Sequence, residues 1–137
     1  MRTMKNLYIT AVLALLLGAA GAHAEWLKAG VSKNTGDAFT LYLDPATLQR
    51  SGKLAKMWSL HDFKELQSID GQLYLAEKTH LEFDCEAKKV RILATIDCAL
   101  KMCAGEIVYS DADVTEWSAV ATNTLGETAW KLACTGK

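Results

Sequence analysis

Residues 79–96 read T-H-L-E-F-D-C-E-A-K-K-V-R-I-L-A-T-I, and their pattern decides the fold. Leu81, Phe83 and Cys85 alternate with His80, Glu82 and Asp84. After a polar break, Val90, Ile92, Ala94 and Ile96 alternate with Arg91, Leu93, Thr95 and Asp97. Period-2 alternation on both sides of a short polar turn predicts an antiparallel hairpin with one buried face. A turn centred on Ala87-Lys88 sets Cys85 opposite Val90, Phe83 opposite Ile92 and Leu81 opposite Ala94. The other face then carries two opposite-charge cross-strand pairs, Asp84 with Arg91 and Glu86 with Lys89.

Upstream of the hairpin, Trp26–Ser32 reads as a first strand, ended by a turn over Asn34–Asp37, and Phe39–Leu43 as a second. Asp44 as N-cap, Pro45 at the first helical position and Gly52 beyond the end predict one helical turn. Leu54–Phe63 makes a third strand and Lys64–Gly71 a polar connection. Gln72 begins the fourth strand, which runs into the hairpin.

Downstream, Glu106–Asp113 makes a sixth strand, followed by a loop through Trp117. Thr124-Leu-Gly-Glu127 matches the capping-box pattern, and Leu125, Ala129, Leu132 and Ala133 recur at helical spacing. Trp130 and Cys134 flank that stripe, with Glu127, Thr128 and Lys131 on the opposite side. A helix of roughly ten residues does not hold in water on its own, so it must lie on the sheet. The expected fold is α+β: a six-stranded antiparallel sheet with a short C-terminal helix packed on one face and tied to it by a disulfide.

Met1–Ala24 stands apart from this pattern. Arg2 and Lys5 precede an apolar run from Leu7 to Ala20, and Ala22-His23-Ala24 offers small residues before a cleavage point at Glu25. That is the layout of a signal peptide, and the run is short of the roughly 20 residues that span a bilayer. No cysteine near the cleavage point could carry a lipid, so no membrane anchor is expected. Removal of 24 residues leaves a single domain over 25–137, with 13 of the 15 basic residues against 16 acidic ones and a net charge of −3. That balance argues against nucleic acid as a partner.

All four cysteines, Cys85, Cys98, Cys103 and Cys134, lie in the mature part, where export makes disulfides the default. Three connectivities are possible. Strand geometry favours Cys85–Cys134 with Cys98–Cys103, because the latter two flank a short loop between the fifth and sixth strands. Pairing outward from that loop places Ala94 opposite Ile107 and Ile92 opposite Tyr109.

Chemistry-bearing patterns are sparse. His80 falls on the polar side of its strand, and His61 and Asp62 point to opposite faces as strand neighbours. Asp111-Ala-Asp113 lacks the ligand count and glycine of a calcium loop, and Cys98-x4-Cys103 in an oxidising compartment reads as a disulfide before a zinc site. No Gly-rich phosphate loop, G-x-S-x-G or CxxC motif occurs. No catalytic residue, metal or cofactor is therefore expected. Lys88, Lys89 and Arg91 form a small basic hairpin tip and are the weak candidates for ligand contact. The mature-chain tryptophans, Trp26, Trp58, Trp117 and Trp130, are most simply core; exposed together, they would mark a binding surface.

An ordered set of motifs spans Glu25 to Cys134: Trp26, Y-L-D-x-x-T-L-x-x-S-G (Tyr42–Gly52), W-S-L-x-D-F (Trp58–Phe63), L-E-F-D-C-x-x-K-x-V-R-I-L (Leu81–Leu93), G-E-I-V (Gly105–Val108), Trp117 and Cys134. The set resembles the surface-adhesin protein E-like domain of Gram-negative bacteria. The resemblance implies a six-stranded antiparallel sheet with a C-terminal helix linked through the positions of Cys85 and Cys134. It also implies binding to host matrix or serum proteins, and a dimer. The lipid anchor of the family's adhesin has no counterpart cysteine here, and the Cys98–Cys103 pair is not part of the family pattern. The expected function is an exported, non-enzymatic binding domain, periplasmic or secreted, that engages a protein or other macromolecule. The alternative is a small periplasmic inhibitor or accessory factor of an envelope enzyme.

Overall fold

A computed structural model of the chain describes residues 25–137; the signal peptide expected over Met1–Ala24 lies outside them. The strands are β1 (Leu27–Ser32), β2 (Phe39–Ser51), β3 (Leu54–Ile69), β4 (Gln72–Asp84), β5 (Lys89–Cys98), β6 (Ile107–Asp111) and the two-residue β7 (Ser118–Ala119), and the helix is α1 (Leu125–Thr135). β1 to β6 lie side by side in chain order, each antiparallel to the next. β7 pairs with Lys89 and Val90 at the start of β5. This is the expected six-stranded sheet, with a seventh short strand added.

The core lies between the sheet and α1. Leu41, Leu43, Ala55, Met57 and Phe83 point from the sheet, and Ala129 and Ala133 meet them from the helix. The helix begins as its sequence requires. Thr124 Oγ1 accepts a hydrogen bond from Glu127 N at 3.2 Å, and Gly136 ends the helix in the left-handed conformation at φ 75°. Three ties hold α1 down at its C-terminal half. Cys85 and Cys134 are bonded with Cα atoms 5.4 Å apart, Trp130 Nε1 donates to Asp84 O at 3.3 Å, and Arg50 Nε donates to Ala133 O at 2.9 Å. Glu127 departs from the expected outward placement: it is buried, and it pairs with Lys88 and with Lys131.

The β4–β5 hairpin forms in a different register from the one expected. Asp84 Oδ1 accepts from Glu86 N at 3.1 Å and Ala87 N at 2.8 Å, and Lys88 adopts φ 53°. These bonds wind Cys85–Lys88 into a four-residue turn. Phe83 therefore faces Val90 and Leu81 faces Ile92, a slip of two that leaves these four side chains on their expected face. The pairs Asp84–Arg91 and Glu86–Lys89 do not form; Arg91 and Lys56 pair with Glu82, and Lys53 with Asp84.

Further along β5, Leu93 is an extra residue, since Leu81 pairs with Ile92 but His80 with Ala94. Such a bulge reverses the phase of the strand beyond it. Thr95 and Asp97 turn to the helix side, and Ala94, Ile96 and Cys98 to the back, the reverse of the expected faces. The pairing of Ala94 with Ile107 and Ile92 with Tyr109 is replaced by Cys98 with Ile107 and Asp97 with Tyr109. Cys98 now reaches Cys103 (Cα atoms 4.8 Å apart) in a 3-10 turn at Lys101–Cys103. That turn is anchored on the back face by Lys101 Nζ to Phe63 O at 2.6 Å and Met102 N to Asp62 Oδ1 at 2.7 Å.

Two expected connections are strand. No helical turn forms at Pro45. β2 continues through it, and the ladder to β3 breaks between Asp44 and Gln49, a place where a residue without an N–H is tolerated. Thr47 Oγ1 closes the bulge by donating to Asp44 O at 2.7 Å and accepting from Trp58 N at 3.0 Å. Residues Lys64–Ile69 continue β3, and with β4 they form an arm that turns at Asp70-Gly71, both at positive φ, as a two-residue hairpin turn needs.

Candidate functional site

Among the described residues, α1 lies on one face and the 3-10 turn covers part of the other, and the rest of the back face is left open. Strand alternation brings Trp58 and His80 there as cross-strand partners. Their rings stack with centroids 4.7 Å apart and 5° between planes, and Lys78 Nζ lies 6.0 Å over the indole. Burial, then the charge of Lys56, lowers the pKa of His80, which keeps the imidazole neutral in this stack.

The next row runs Lys56, Glu82, Arg91. Glu82 is 3% exposed, and Arg91 donates to it twice, from Nε at 2.8 Å and from Nη2 at 2.6 Å. Lys56 Nζ stands 3.8 Å from its other oxygen. The guanidinium is fixed in orientation, and its plane carries Trp117 at 4.4 Å from the ring centroid. Trp117 arrives through the segment after β6, which runs along the edge of β5. Thr115 N donates to Ile92 O, Ile92 N donates to Thr115 Oγ1, and Val120 N donates to Lys88 O. The result is a ledge of two half-exposed indoles, an imidazole and a guanidinium on an oriented frame. Arginine and aromatic side chains pre-set in this way suit contact with a macromolecule.

The residues of the basic hairpin tip do not gather into one patch. Lys88 faces the helix, pairing with Glu127 and lying 5.4 Å over the Trp130 ring. Arg91 belongs to the ledge on the opposite face, and Lys89 is exposed beside β7. The four tryptophans are all half-buried instead of core, and Trp58 and Trp117 share the open face. His61 lies on the helix side, stacked on Phe39 with centroids 4.1 Å apart. Asp111 accepts from Tyr109 Oη at 2.7 Å and from Asp113 N at 3.1 Å. Among the described residues no group of three or more His, Cys, Asp or Glu is disposed to hold a metal ion.

The sequence model described as Surface-adhesin protein E matches residues 26–135. The chain belongs to the surface-adhesin protein E family. Solved structures of Haemophilus influenzae protein E share its fold. Crystal form II superposes with a TM-score of 0.61 at 8% identity, covering 81% of this chain and 96% of that one. A second structure of the same protein gives a TM-score of 0.59 at 8% identity, over 80% and 87%. Among curated protein sequences none matches. At such identity the structural likeness concerns the fold, and the family membership rests on the sequence match.

Proposed function

We propose that this member of the surface-adhesin protein E family is an exported, non-enzymatic binding domain that engages a protein partner through the open back face of its sheet. The observation that carries the reading is the Arg91–Trp117 stack joined through Glu82 to the Trp58–His80 face. Side chains of these types, half-exposed and already ordered, lose little conformational freedom on binding and supply most of the energy of protein interfaces. Export is read from Met1–Ala24 as a leader cleaved before Glu25 and from two disulfides that need an oxidising compartment. Lys89, exposed at the rim, would contribute to encounter more than to affinity.

The test is retention of the mature domain's partner from envelope and host-matrix extracts by the wild type, Trp117→Ala and Trp58→Ala. Both substitutions should weaken binding at least tenfold while circular dichroism and melting temperature stay near wild type. Undiminished retention by both variants would move the contact surface elsewhere.

A further inference from the structure

On the helix side of the sheet, away from the ledge, a cleft of about 310 Å³ opens beside the N-terminal end of α1. Its volume is in the range of small-molecule sites, which are mostly apolar with a few placed polar groups. Leu41, Leu81, Ile92 and Leu125 supply the apolar wall, and Gly126 stands at the mouth. The polar lining is largely spent. Ser59 and Thr79 hydroxyls bond each other at 2.7 Å, and His61 is held against Phe39, with burial lowering its pKa to about 4.

The acidic end is not spent. Glu77 lines the cleft, and Asp97 is its cross-strand partner on β5. Asp97 has no exposed surface, and among the described residues its carboxyl has no donor other than the proton it shares with the Glu77 carboxyl. The Leu93 bulge put it there. Asp111 stands close enough to act on both. Among the described residues no lysine or arginine pairs with any of the three. One shared proton still leaves the three carboxyls with negative charge and no cation, which is costly where it is buried, and a donor-rich cation relieves that cost. The three are not arranged to converge on a metal ion, whereas an ammonium needs no fixed coordination and carries three donors.

We infer that the cleft binds a small primary ammonium compound with an apolar body, the body lying along Leu81, Ile92 and Leu125 and the ammonium meeting Glu77, with Asp97 behind it. A neutral apolar molecule would use the same wall but leave the acids unanswered, and a carboxylate would be repelled.

Titration of the purified protein with n-hexylammonium, n-hexanol and hexanoate, read by amide chemical shifts, tests this. Hexylammonium should bind saturably in the millimolar range or tighter, with shifts centred on Phe39, Thr79 and Ile92. Hexanol and hexanoate should bind at least tenfold more weakly. Glu77→Gln should weaken hexylammonium at least tenfold and leave hexanol unchanged. Gly126→Leu supplies a variant independent of the buried acids. The nearest atom to a Cβ at that position is Thr124 Oγ1 at 3.6 Å, an ordinary contact, and the bulk added at this exposed lining position should obstruct the mouth and abolish binding, with circular dichroism and melting temperature near wild type. Equal binding of hexanol, an unaltered Glu77→Gln or Gly126→Leu affinity, shifts centred elsewhere, or no binding at millimolar amine would each overturn the inference.

Discussion

Glu127 on the first turn of α1 and Lys88 in the β4–β5 turn form an ion pair that joins the helix to the hairpin. The bond from Lys88, and then the Asn123 N–H, hold the Glu127 carboxyl at about 2, below its ordinary 4.5. A carboxyl lowered on folding adds stability above its ordinary pKa and loses it as pH falls through the folded value. The melting temperature should therefore drop as pH is lowered from about 4.5 to about 2. Glu127→Gln should melt lower than wild type at neutral pH and show a shallower fall in that window. Parallel curves for the two proteins would remove the pair from the helix's anchorage.

The two disulfides should not be worth the same. Cys85–Cys134 closes 49 residues and Cys98–Cys103 only 5. On the loop-entropy model these correspond to about 4 and about 2 kcal/mol. The double replacement Cys85→Ala/Cys134→Ala should lower stability more than Cys98→Ala/Cys103→Ala, and it alone should raise amide exchange throughout α1, a helix too short to persist undocked. Equal losses in chemical denaturation would contradict the ranking.

The parts of this fold readable from sequence are those fixed by local pattern. Alternation marked the strands, Thr124 and Glu127 marked the start of the helix, and four cysteines after a leader-like segment marked the disulfides. Register was not readable, because turn length depends on what Asp84 bonds to. Strand phase was lost at Leu93, where nothing in composition announces a bulge. That one residue sends Asp97 inward, so the acidic corner stayed hidden behind an alternation that appeared regular. The arm at Asp70-Gly71 did carry a signal, an Asp-Gly pair between strand-like runs. The ledge was half visible: Trp58 and Arg91 lie on predicted strands, but the path that lays Trp117 on Arg91 has no alternation to reveal it.

Asp84 should matter through its side-chain acceptor. Asp84→Ala removes the partner of the Glu86 and Ala87 N–H groups and should lower the melting temperature and broaden the turn resonances. Asp84→Asn retains an oxygen acceptor, as in other Asx turns, and should keep most of the stability. If the two variants melt alike, the four-residue turn owes its shape to something other than these bonds.

The acidic corner gives the opposite pH sign to Glu127. Burial, then the hydrogen bond to the Asp97 carboxyl and the charges of Asp97 and Asp111, push Glu77 up to about 8 from an ordinary 4.5. Burial raises Asp97 as well, and Tyr74 and Tyr109, which border the same groups, are pushed to about 12 and stay neutral. His61 on β3 is lowered to about 4 and also stays uncharged near neutrality. A carboxyl raised on folding favours the folded state below its ordinary pKa, and that contribution is lost as pH rises through the folded value. His61, lowered on folding, adds stability as pH rises from about 4 to 6.5 and offsets Glu77 there, so the net decline should show between about pH 6.5 and about pH 8. Glu77→Gln, which cannot ionise, should flatten the decline and melt higher than wild type at pH 8. Thermal melts of both proteins across this range check it, and a wild-type curve that rises toward pH 8 would show that Glu77 ionises in the folded state as an ordinary carboxyl does.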